Sequence, residues 1–499
     1  MIVTPLGHTE FLVDIAGTDG KNVRIMVDGW FSDYAIWDLM ERTVKVRFNE
    51  EWLQTVDALY ISHAHCDHFD PYSLLQIYSI ANPLLLLPET LLYLRPLLVE
   101  YIPHIQIQIL RNKEMFRFHG IEITAAAFDQ DYVTNEDDVL TLMLANEEEI
   151  LFAEIDIAPP DTLETNTYLY KVFTKRAYKT IAYIASRNEL EGNLKILDYN
   201  TSVEREKFRA SYLHERKEEI EWGYAKWEYE DYEAMPNSMT LPWFVRGFIG
   251  QWICYPTVMN RDLSGMTCFW LDEVVDREIN LGKTYGYDFS QKVLTPGRQY
   301  RIENGTIEAG RKECSIGILD ILSHKTPLSI GAVRTYAKWA LSWDIRDFST
   351  QAQRIWVLLN TQFLSYWFAS SVANLRSALL SHSDRAYRIL LRWQQGETCV
   401  FQFTFSDTAF QEIPFENTMR IDEDYFINDI DDFLLGKQEL YSNFWHKLDS
   451  KKQYRLWTFL GANFIHHALV EKKYRLHFER AKAGDTAESF FQDFVGDVN

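Results

Sequence analysis

The stretch Tyr60-Ile-Ser-His-Ala-His-Cys-Asp-His-Phe-Asp70 holds three histidines and an aspartate within six residues, directly after a short apolar run. The apolar run predicts a strand that delivers these side chains into a loop. Residues two apart in an extended segment point the same way, so His63 and His65 can reach one metal ion. Asp67 and His68 follow once the chain has turned, and we expect them to face a second ion. Imidazole and carboxylate ligands suit zinc or iron, and this small set leaves coordination positions open for water, substrate or dioxygen.

The chain has 499 residues, more than one ordinary core requires, and we expect two or three domains. Residues 1–310 are expected to form the metal-binding domain, with a charged helical excursion at about 201–235. Residues 311–499 are expected to form an α+β to helical C-terminal domain.

The net charge and the cysteine content indicate which partners and which cellular compartment to expect. The formal net charge of −22 argues against a nucleic-acid or anionic-membrane partner, because both need a basic face. The five cysteines are widely spaced and form no Cys-x-x-Cys pair, which fits reduced thiols in a cytoplasm. The sequence shows no signal peptide and no apolar run near the ~20 residues of a membrane span. We therefore expect a cytoplasmic protein with a small-molecule substrate.

Strand and helix patterns alternate through the first half of the chain. Phe11 to Ile15 and Val23 to Val27 have strand character, with a Gly-containing hairpin turn between them. The segment Pro71 to Ala81 has helical spacing, and strand signals follow at Phe116 to Ala127 and at Glu149 to Ile157. Strands and helices in this order predict an α/β fold, an αββα sandwich.

The C-terminal region mixes both kinds of pattern. Arg354 to Leu359 is predicted as β-rich, and a hairpin is predicted from Tyr387 to Trp393 and from Thr398 to Phe405. Residues 422–483 are predicted to be largely helical. The tryptophans of this region fit a packed core better than a ligand pocket.

The histidine loop, its strand context and a downstream aspartate resemble the metallo-β-lactamase superfamily. The resemblance implies a metallo-β-lactamase-like αββα sandwich with its metal ligands on loops at one edge. Glu149-Ile-Leu-Phe-Ala-Glu-Ile-Asp156 is similar to the strand that ends in a metal-bridging aspartate. Asp156 is alternatively an ordinary strand-end acid, with Glu154 as the fallback ligand. The resemblance also implies two ligand pairs, His63 with His65 and Asp67 with His68.

Two departures from the family pattern bear on the identity of the metal. Hydrolases of the superfamily have a histidine after the strand that ends near Ala127, whereas this chain continues Ala127-Phe-Asp-Gln-Asp131. Asp129 or Asp131 is the candidate substitute. The late histidine of the family is also missing, and His214 is a weak candidate for it. A site richer in carboxylates is harder and more negative, which favours iron over zinc.

The flanking segments are similar to the metallo-β-lactamase-fold part of the CMP-N-acetylneuraminate hydroxylase family. That family is iron-dependent and uses oxygen, and it carries a Rieske iron–sulfur domain. A Rieske cluster needs a Cys-x-His and a Cys-x-x-His, but only Cys66-Asp-His68 is present in this sequence. We therefore expect electrons to come from a separate ferredoxin or reductase, or from the substrate.

Three functions are consistent with these residues. The first is a diiron oxygenase that oxidises or hydroxylates a small organic substrate with dioxygen, with Asp156 bridging the ions. The second is a dizinc hydrolase of phosphoesters, lactones or amides, in which Asp67 orients or deprotonates a water molecule. The third, which an intact histidine loop disfavours, is an inactive binding scaffold. His8 is expected to be at most an outer neighbour of the metal ligands.

Overall fold

The computed structural model describes most of the N-terminal half and several blocks of the C-terminal half. These blocks are residues 1–18, 20–32, 34–35, 40–42, 50–128, 140–155, 163–187, 245–250, 253–254, 290–310, 347–370, 379–380, 383–392, 397–434, 455–461 and 463–486. The helical excursion and the candidate ligands Asp129, Asp131, Asp156 and His214 lie outside them.

The first sheet has eight strands in the order β18-β17-β1-β2-β3-β6-β7-β8. Its strands β3, β6, β7 and β8 are mutually parallel, and β1 and β2 join β3 as an antiparallel meander. The predicted hairpin of β2 and β3 is confirmed. The strands are β1 (Ile2–Gly7), β2 (Glu10–Ala16), β3 (Asn22–Val27), β6 (Ala58–Tyr60), β7 (Leu84–Pro88), β8 (Ile107–Leu110), β17 (Tyr300–Glu303) and β18 (Thr306–Ala309).

The second sheet has seven strands in the order β16-β14-β13-β12-β11-β10-β9. Its strands are β9 (Met115–Phe118), β10 (Ile121–Ala126), β11 (Thr141–Ala145), β12 (Glu149–Ala153), β13 (Thr180–Arg187), β14 (Val245–Gly250) and β16 (Ser290–Val293). Three short strands form a small separate sheet, namely β4 (Tyr34–Ala35), β5 (Met40–Arg42) and β15 (Ile253–Cys254).

The two large sheets share one apolar core. Side chains alternate along the strands, so Phe11 and Val13 of β2 pack against Leu142 and Leu144 of β11 in a single cluster. Leu12 lies between Phe11 and Val13 in sequence, so its side chain points to the opposite face of the sheet. There it belongs to a second apolar cluster, which includes residues of the helices.

Helices cover both outer faces of the pair of sheets. Two helices, α2 (Pro71–Ile80) and α3 (Arg95–Tyr101), pack on the first sheet, and α4 (Leu163–Phe173) packs on the second through Phe152 and Phe173. A short helix, α1 (Glu50–Leu53), precedes β6, and a 3₁₀ segment (Glu89–Leu94) precedes α3. The predicted αββα sandwich is confirmed by this layering.

Two predicted strands are wrong. The segment Phe116 to Ala127 is a hairpin of two strands, because His119 and Gly120 take positive φ values of 47° and 80° and reverse the chain. Arg354 to Leu358 lies in a helix whose buried residues Ala352, Ile355 and Leu358 recur at helical spacing, and Leu359 begins the π turn that follows. The apolar run of this segment was short enough to fit either element.

The C-terminal region forms a third apolar cluster around a four-stranded sheet in the order β21-β20-β19-β22. The predicted hairpin is confirmed as β19 (Ala386–Arg392) paired with β20 (Thr398–Thr404), and β21 (Gln411–Ile413) and β22 (Glu423–Phe426) flank it. The helices are α5 (Phe348–Leu358), α6 (Leu364–Ser370), α7 (Ile427–Leu434), α8 (Arg455–Gly461) and α9 (Asn463–Lys482), with a π turn at Leu359–Phe363.

The last helix, α9, packs on the sandwich, where Tyr474 and Phe478 join the cluster on the outer face of the first sheet. The domain boundary near residue 310 stays a prediction. No helix in the described blocks is both long enough and apolar enough to cross a membrane.

Leu142→Ala tests the shared core. Leu142 is fully buried between the sheets, so we expect a loss of about 2–5 kcal/mol in the free energy of unfolding. The matched control is Leu163→Ala, at a side chain that is 86% exposed, with an expected change within about 0.5 kcal/mol. Chemical denaturation of both variants measures the difference, and equal losses would contradict the shared core.

Candidate metal site

Strand direction gathers the candidate site at one edge of the sandwich. Strands β1, β3 and β6 run the same way, so the residues that follow them, His8, Asp28 and the histidine loop, come out at one edge. In the second sheet, Ala126 at the end of β10 pairs with Thr141 at the start of β11. That end of the sheet lies at the same edge.

Asp28 ties the end of β3 to the histidine loop. Its Oδ1 accepts the backbone N–H of Ser62 at 2.7 Å, and its Oδ2 accepts the Ser62 hydroxyl at 2.9 Å. The same Oδ2 lies 2.7 Å from Nδ1 of His68. Asp28, Ser62 and His68 are all buried, so the loop begins against a fixed anionic acceptor.

These partners set which ring nitrogen of each histidine carries hydrogen. A carboxylate only accepts, so Nδ1 of His68 donates to Asp28 and Nε2 presents its lone pair. The Ser62 hydroxyl already donates to Asp28, so it accepts from Nδ1 of His63 at 2.9 Å. His63 therefore presents its own Nε2 lone pair towards the metal edge.

The Nε2 atoms of His63 and His68 each lie close to a further potential ligand atom. Nε2 of His63 lies 2.9 Å from Nδ1 of His65, and Nε2 of His68 lies 3.6 Å from Oδ2 of Asp67. The rings of His63 and His68 have their centroids 4.0 Å apart, so the two pairs are adjacent. When the hydrogen of His65 is on Nδ1 it bridges this contact, and when it is on Nε2 both facing nitrogens can bind one cation. Such nitrogen and oxygen ligand atoms suit zinc or iron.

His8 lies closer to the site than its sequence position indicated. It is fully buried, and its Nε2 is 2.8 Å from Oδ2 of Asp67. One ligand atom each from His8, Asp67 and His68 lies within 4.8 Å of the other two, and no other such group of three occurs among the described residues. The ring of His8 also contacts the ring of Trp30 edge-on, with the two centroids 5.4 Å apart.

Strained backbone gathers at this same edge. Three residues other than glycine take positive φ values here, namely His8 at 46°, Asp28 at 47° and Ile155 at 63°. Each such conformation costs about 1–3 kcal/mol and persists only where the surroundings enforce it. Residues of this kind cluster at functional sites, which agrees with the concentration of metal-ligand types here.

The described residues that flank 129–139 and 156–162 also reach this edge. Leu140 donates its N–H to the carbonyl of Ser62 at 3.4 Å and accepts the hydroxyl of Tyr60 at 2.6 Å. Burial, with the charge of Asp28 adding to it, raises the pKa of Tyr60 well above its usual value and keeps this donor protonated. Ile155, the residue before Asp156, follows β12 in the shared core.

The structure brings together four of the seven predicted ligands: His63, His65, Asp67 and His68. Glu154, the fallback for Asp156, accepts the hydroxyl of Tyr183 at 2.5 Å and the N–H of Ser186 at 3.2 Å, which joins it to β13. The sequence named neither Asp28 nor His8 as a ligand: it placed Asp28 at a turn near the site and His8 as at most an outer neighbour. Both directly follow a strand that runs parallel to β6.

Neither the protein-family models nor the curated proteins contain a match to this chain. Solved structures do show similarity. One is CmlA, a diiron β-hydroxylase from Streptomyces venezuelae, with 11% sequence identity and a TM-score of 0.35 over 62% of this chain and 54% of CmlA. The chain therefore spans about half the length of CmlA.

Two shorter structures are also similar. A diphosphatase of the PhnP family has 16% identity and a TM-score of 0.23 over 36% of this chain and 60% of its own. The metallo-β-lactamase fold protein YhfI from Bacillus subtilis has 12% identity and a TM-score of 0.24, over 38% of this chain and 72% of YhfI. TM-scores this low do not support an argument about the fold. The assignment of an αββα sandwich therefore rests on the two facing sheets and the helices that cover them. The narrower resemblance to the CMP-N-acetylneuraminate hydroxylase family stays a prediction.

Asp28→Asn tests whether the buried carboxylate orients the histidine loop. The amide keeps the shape but loses the charge that holds hydrogen on Nδ1 of His68, so we expect metal affinity to fall about 10- to 100-fold. The matched control is Asp57→Asn, at a carboxylate that accepts the N–H of Arg24 at 2.8 Å instead of a loop residue. Competition with a chelating dye measures both affinities, and equal affinities would refute the role of Asp28.

Proposed function

We propose that this chain is a dinuclear-metal enzyme of the metallo-β-lactamase fold, specifically a non-haem diiron oxygenase that acts on a small organic substrate. The observation that carries the proposal is the adjacency of two donor pairs, His63 with His65 and Asp67 with His68. Two ions held side by side at one partly open edge form the arrangement of dinuclear catalytic sites. His65 is half-buried, whereas His63 and His68 are buried, so His65 is the most exposed of these three histidines.

Iron is favoured by the donors expected after β10. The described flanks of residues 129–139 lie at the metal edge, and this segment supplies Asp129 and Asp131 with no histidine. The nearby histidines lie elsewhere: His119 is in the turn at the opposite end of β10, and His104 bonds the carbonyl of Tyr78 at 2.9 Å. Carboxylate donors at the first ion, with Asp156 between the ions, would make the site hard and negative, which suits iron.

The chain's own residues then orient the ligands and handle protons. Asp28 holds the hydrogen on Nδ1 of His68, and His8 lies where its Nε2 can hold a proton against Oδ2 of Asp67. Asp67 is therefore the carboxylate through which a proton is accepted or returned at the second ion. Iron bound here would supply activation of dioxygen, and the buried surroundings would exclude bulk water from it.

The reaction requires a co-reactant of defined chemistry. Hydroxylation of a C–H bond places one oxygen atom of dioxygen in the substrate and releases the other as water. It consumes two electrons, which we assign to a separate ferredoxin or reductase, and two protons, which come from solvent.

A dizinc hydrolase is the second candidate, and one observation favours it. His8, Asp67 and His68 form a group of two nitrogen donors and one oxygen donor. Three protein ligands with an open fourth position are typical of catalytic zinc, which would acidify a water molecule for attack on a phosphoester, lactone or amide. An inactive scaffold is the least favoured function, because the donor pairs are intact.

Metal content tests the dinuclear site. Protein purified from cells without added metal is expected to hold about two ions per chain, and His65→Ala or Asp156→Ala is expected to lose at least one. His104→Ala is the matched control, because this histidine bonds the carbonyl of Tyr78 away from the loop. Elemental analysis by mass spectrometry measures all four proteins. Full metal content in His65→Ala would contradict the ligand assignment.

Oxygen consumption separates the two candidate reactions. The purified protein, once reduced, is expected to consume dioxygen in an oxygen electrode and to change its visible absorption, with iron as the bound metal. Zinc as the native metal, together with hydrolysis of a chromogenic phosphodiester or lactone, would contradict the oxygenase proposal and support the hydrolase.

A further inference from the structure

The C-terminal helix reaches the histidine loop through a tyrosine hydroxyl. The hydroxyl of Tyr474, on α9, donates to the backbone carbonyl of Ala64. Ala64 stands between His63 and His65, the two residues assigned to the first ion, and 410 positions of sequence separate the bonded residues. A residue of the C-terminal region thus contacts the backbone from which both side chains project.

The carbonyl of Ala64 is buried within the histidine loop. Ala64 is 3% exposed, and a buried carbonyl needs a hydrogen-bond donor. The neighbouring carbonyls use other donors: that of His65 accepts the N–H groups of His68 and Phe69 at 3.0 and 2.7 Å, and that of Ser62 accepts Leu140. Tyr474 therefore holds the middle of the loop, whereas Asp28 and Leu140 hold its start.

Aromatic packing fixes the position of the Tyr474 ring. Its centroid lies 4.5 Å from that of Phe69, which closes the histidine loop. Four residues later on α9, Phe478 stacks on Tyr101 with centroids 4.8 Å apart and an interplanar angle of 15°. Residues four apart share one face of a helix, so α9 approaches the loop by a defined face. The hydroxyl is delivered by a rigid element.

The same helix continues the C-terminal region. Helix α8 ends at Gly461 and α9 begins at Asn463. Leu456, Phe459 and Leu460 of α8 lie in the C-terminal apolar cluster, while Tyr474 and Phe478 of α9 lie in that of the sandwich. The two helices therefore join the C-terminal core to the metal edge.

We propose that Tyr474 is a positioning residue of the metal site, through which the docked C-terminal helix fixes the spacing of His63 and His65. The proposal rests on the metal-binding part of the proposed function. The hydroxyl acts through its hydrogen bond to the Ala64 carbonyl. The C-terminal region is then a working part of the metal site.

Tyr474→Phe removes the hydroxyl and keeps the ring that packs on Phe69. The matched control is Tyr78→Phe, because Tyr78 is buried in the same apolar cluster and donates its hydroxyl to the carbonyl of Pro83 at 3.1 Å. Both variants lose one tyrosine-to-carbonyl hydrogen bond, but only the first loses a bond to the histidine loop. A purely structural role predicts the same behaviour for both.

The first measurement uses cobalt(II) as the probe on the full chain. Tyr474→Phe is expected to bind cobalt about tenfold more weakly than the unsubstituted protein and to shift its visible absorption bands. Tyr78→Phe is expected to match the unsubstituted protein in both. Equal affinity and spectra in all three proteins, or equal losses in both variants, would overturn the positioning role.

The second measurement uses the metal-free protein, so that it is independent of metal binding. Tyr474→Phe is expected to speed amide hydrogen exchange at His68 and Phe69 several-fold, without a change in β7 or α3. Unchanged exchange at these amides would also overturn the proposal. Faster exchange in a protein that binds no cobalt at all would keep the contact between helix and loop but reject the metal site, which separates the two failures.

Discussion

The buried carboxylate of Asp28 is the interaction on which the site depends. It accepts both the backbone and the hydroxyl of Ser62 and lies against Nδ1 of His68, so one anion fixes where the loop starts and which nitrogen His68 presents. A buried charge is costly unless its hydrogen bonds are satisfied, and here three donors surround it. The hydrogen positions on His63 and His68 follow from that one group.

The sandwich supplies the rigid frame that this anion needs. Asp28 and His8 are both held in left-handed backbone conformations, which a flexible edge would relax. The strands that end in them are central members of the eight-stranded sheet, buried on both faces by the second sheet and by α2, α3 and α9. The strain at the site is therefore offset by packing on either side of it.

Local patterns predicted the parts of the fold that depend on neighbours in sequence. The β2–β3 hairpin, helix α2 and the loop from His63 to His68 could be read directly, because alternation, helical spacing and ligand order are local signals. The helix over Arg354 to Leu358 was missed because a short apolar run fits a strand equally well. The sequence indicated only that Asp28 and His8 lie near the site, and it gave no signal for the contacts they make or for Tyr474. They join the site through strand direction and through the docking of a helix 410 residues from the loop, which only the folded chain reveals.

Two metal ions held by two adjacent donor pairs can be located by anomalous diffraction from crystals of the metal-loaded protein, recorded on both sides of the iron and zinc absorption edges. We expect two anomalous peaks about 3.5–4 Å apart, one beside His63 and His65 and one beside Asp67 and His68, both strongest above the iron edge. A single peak, or peaks away from these residues, would contradict this expectation.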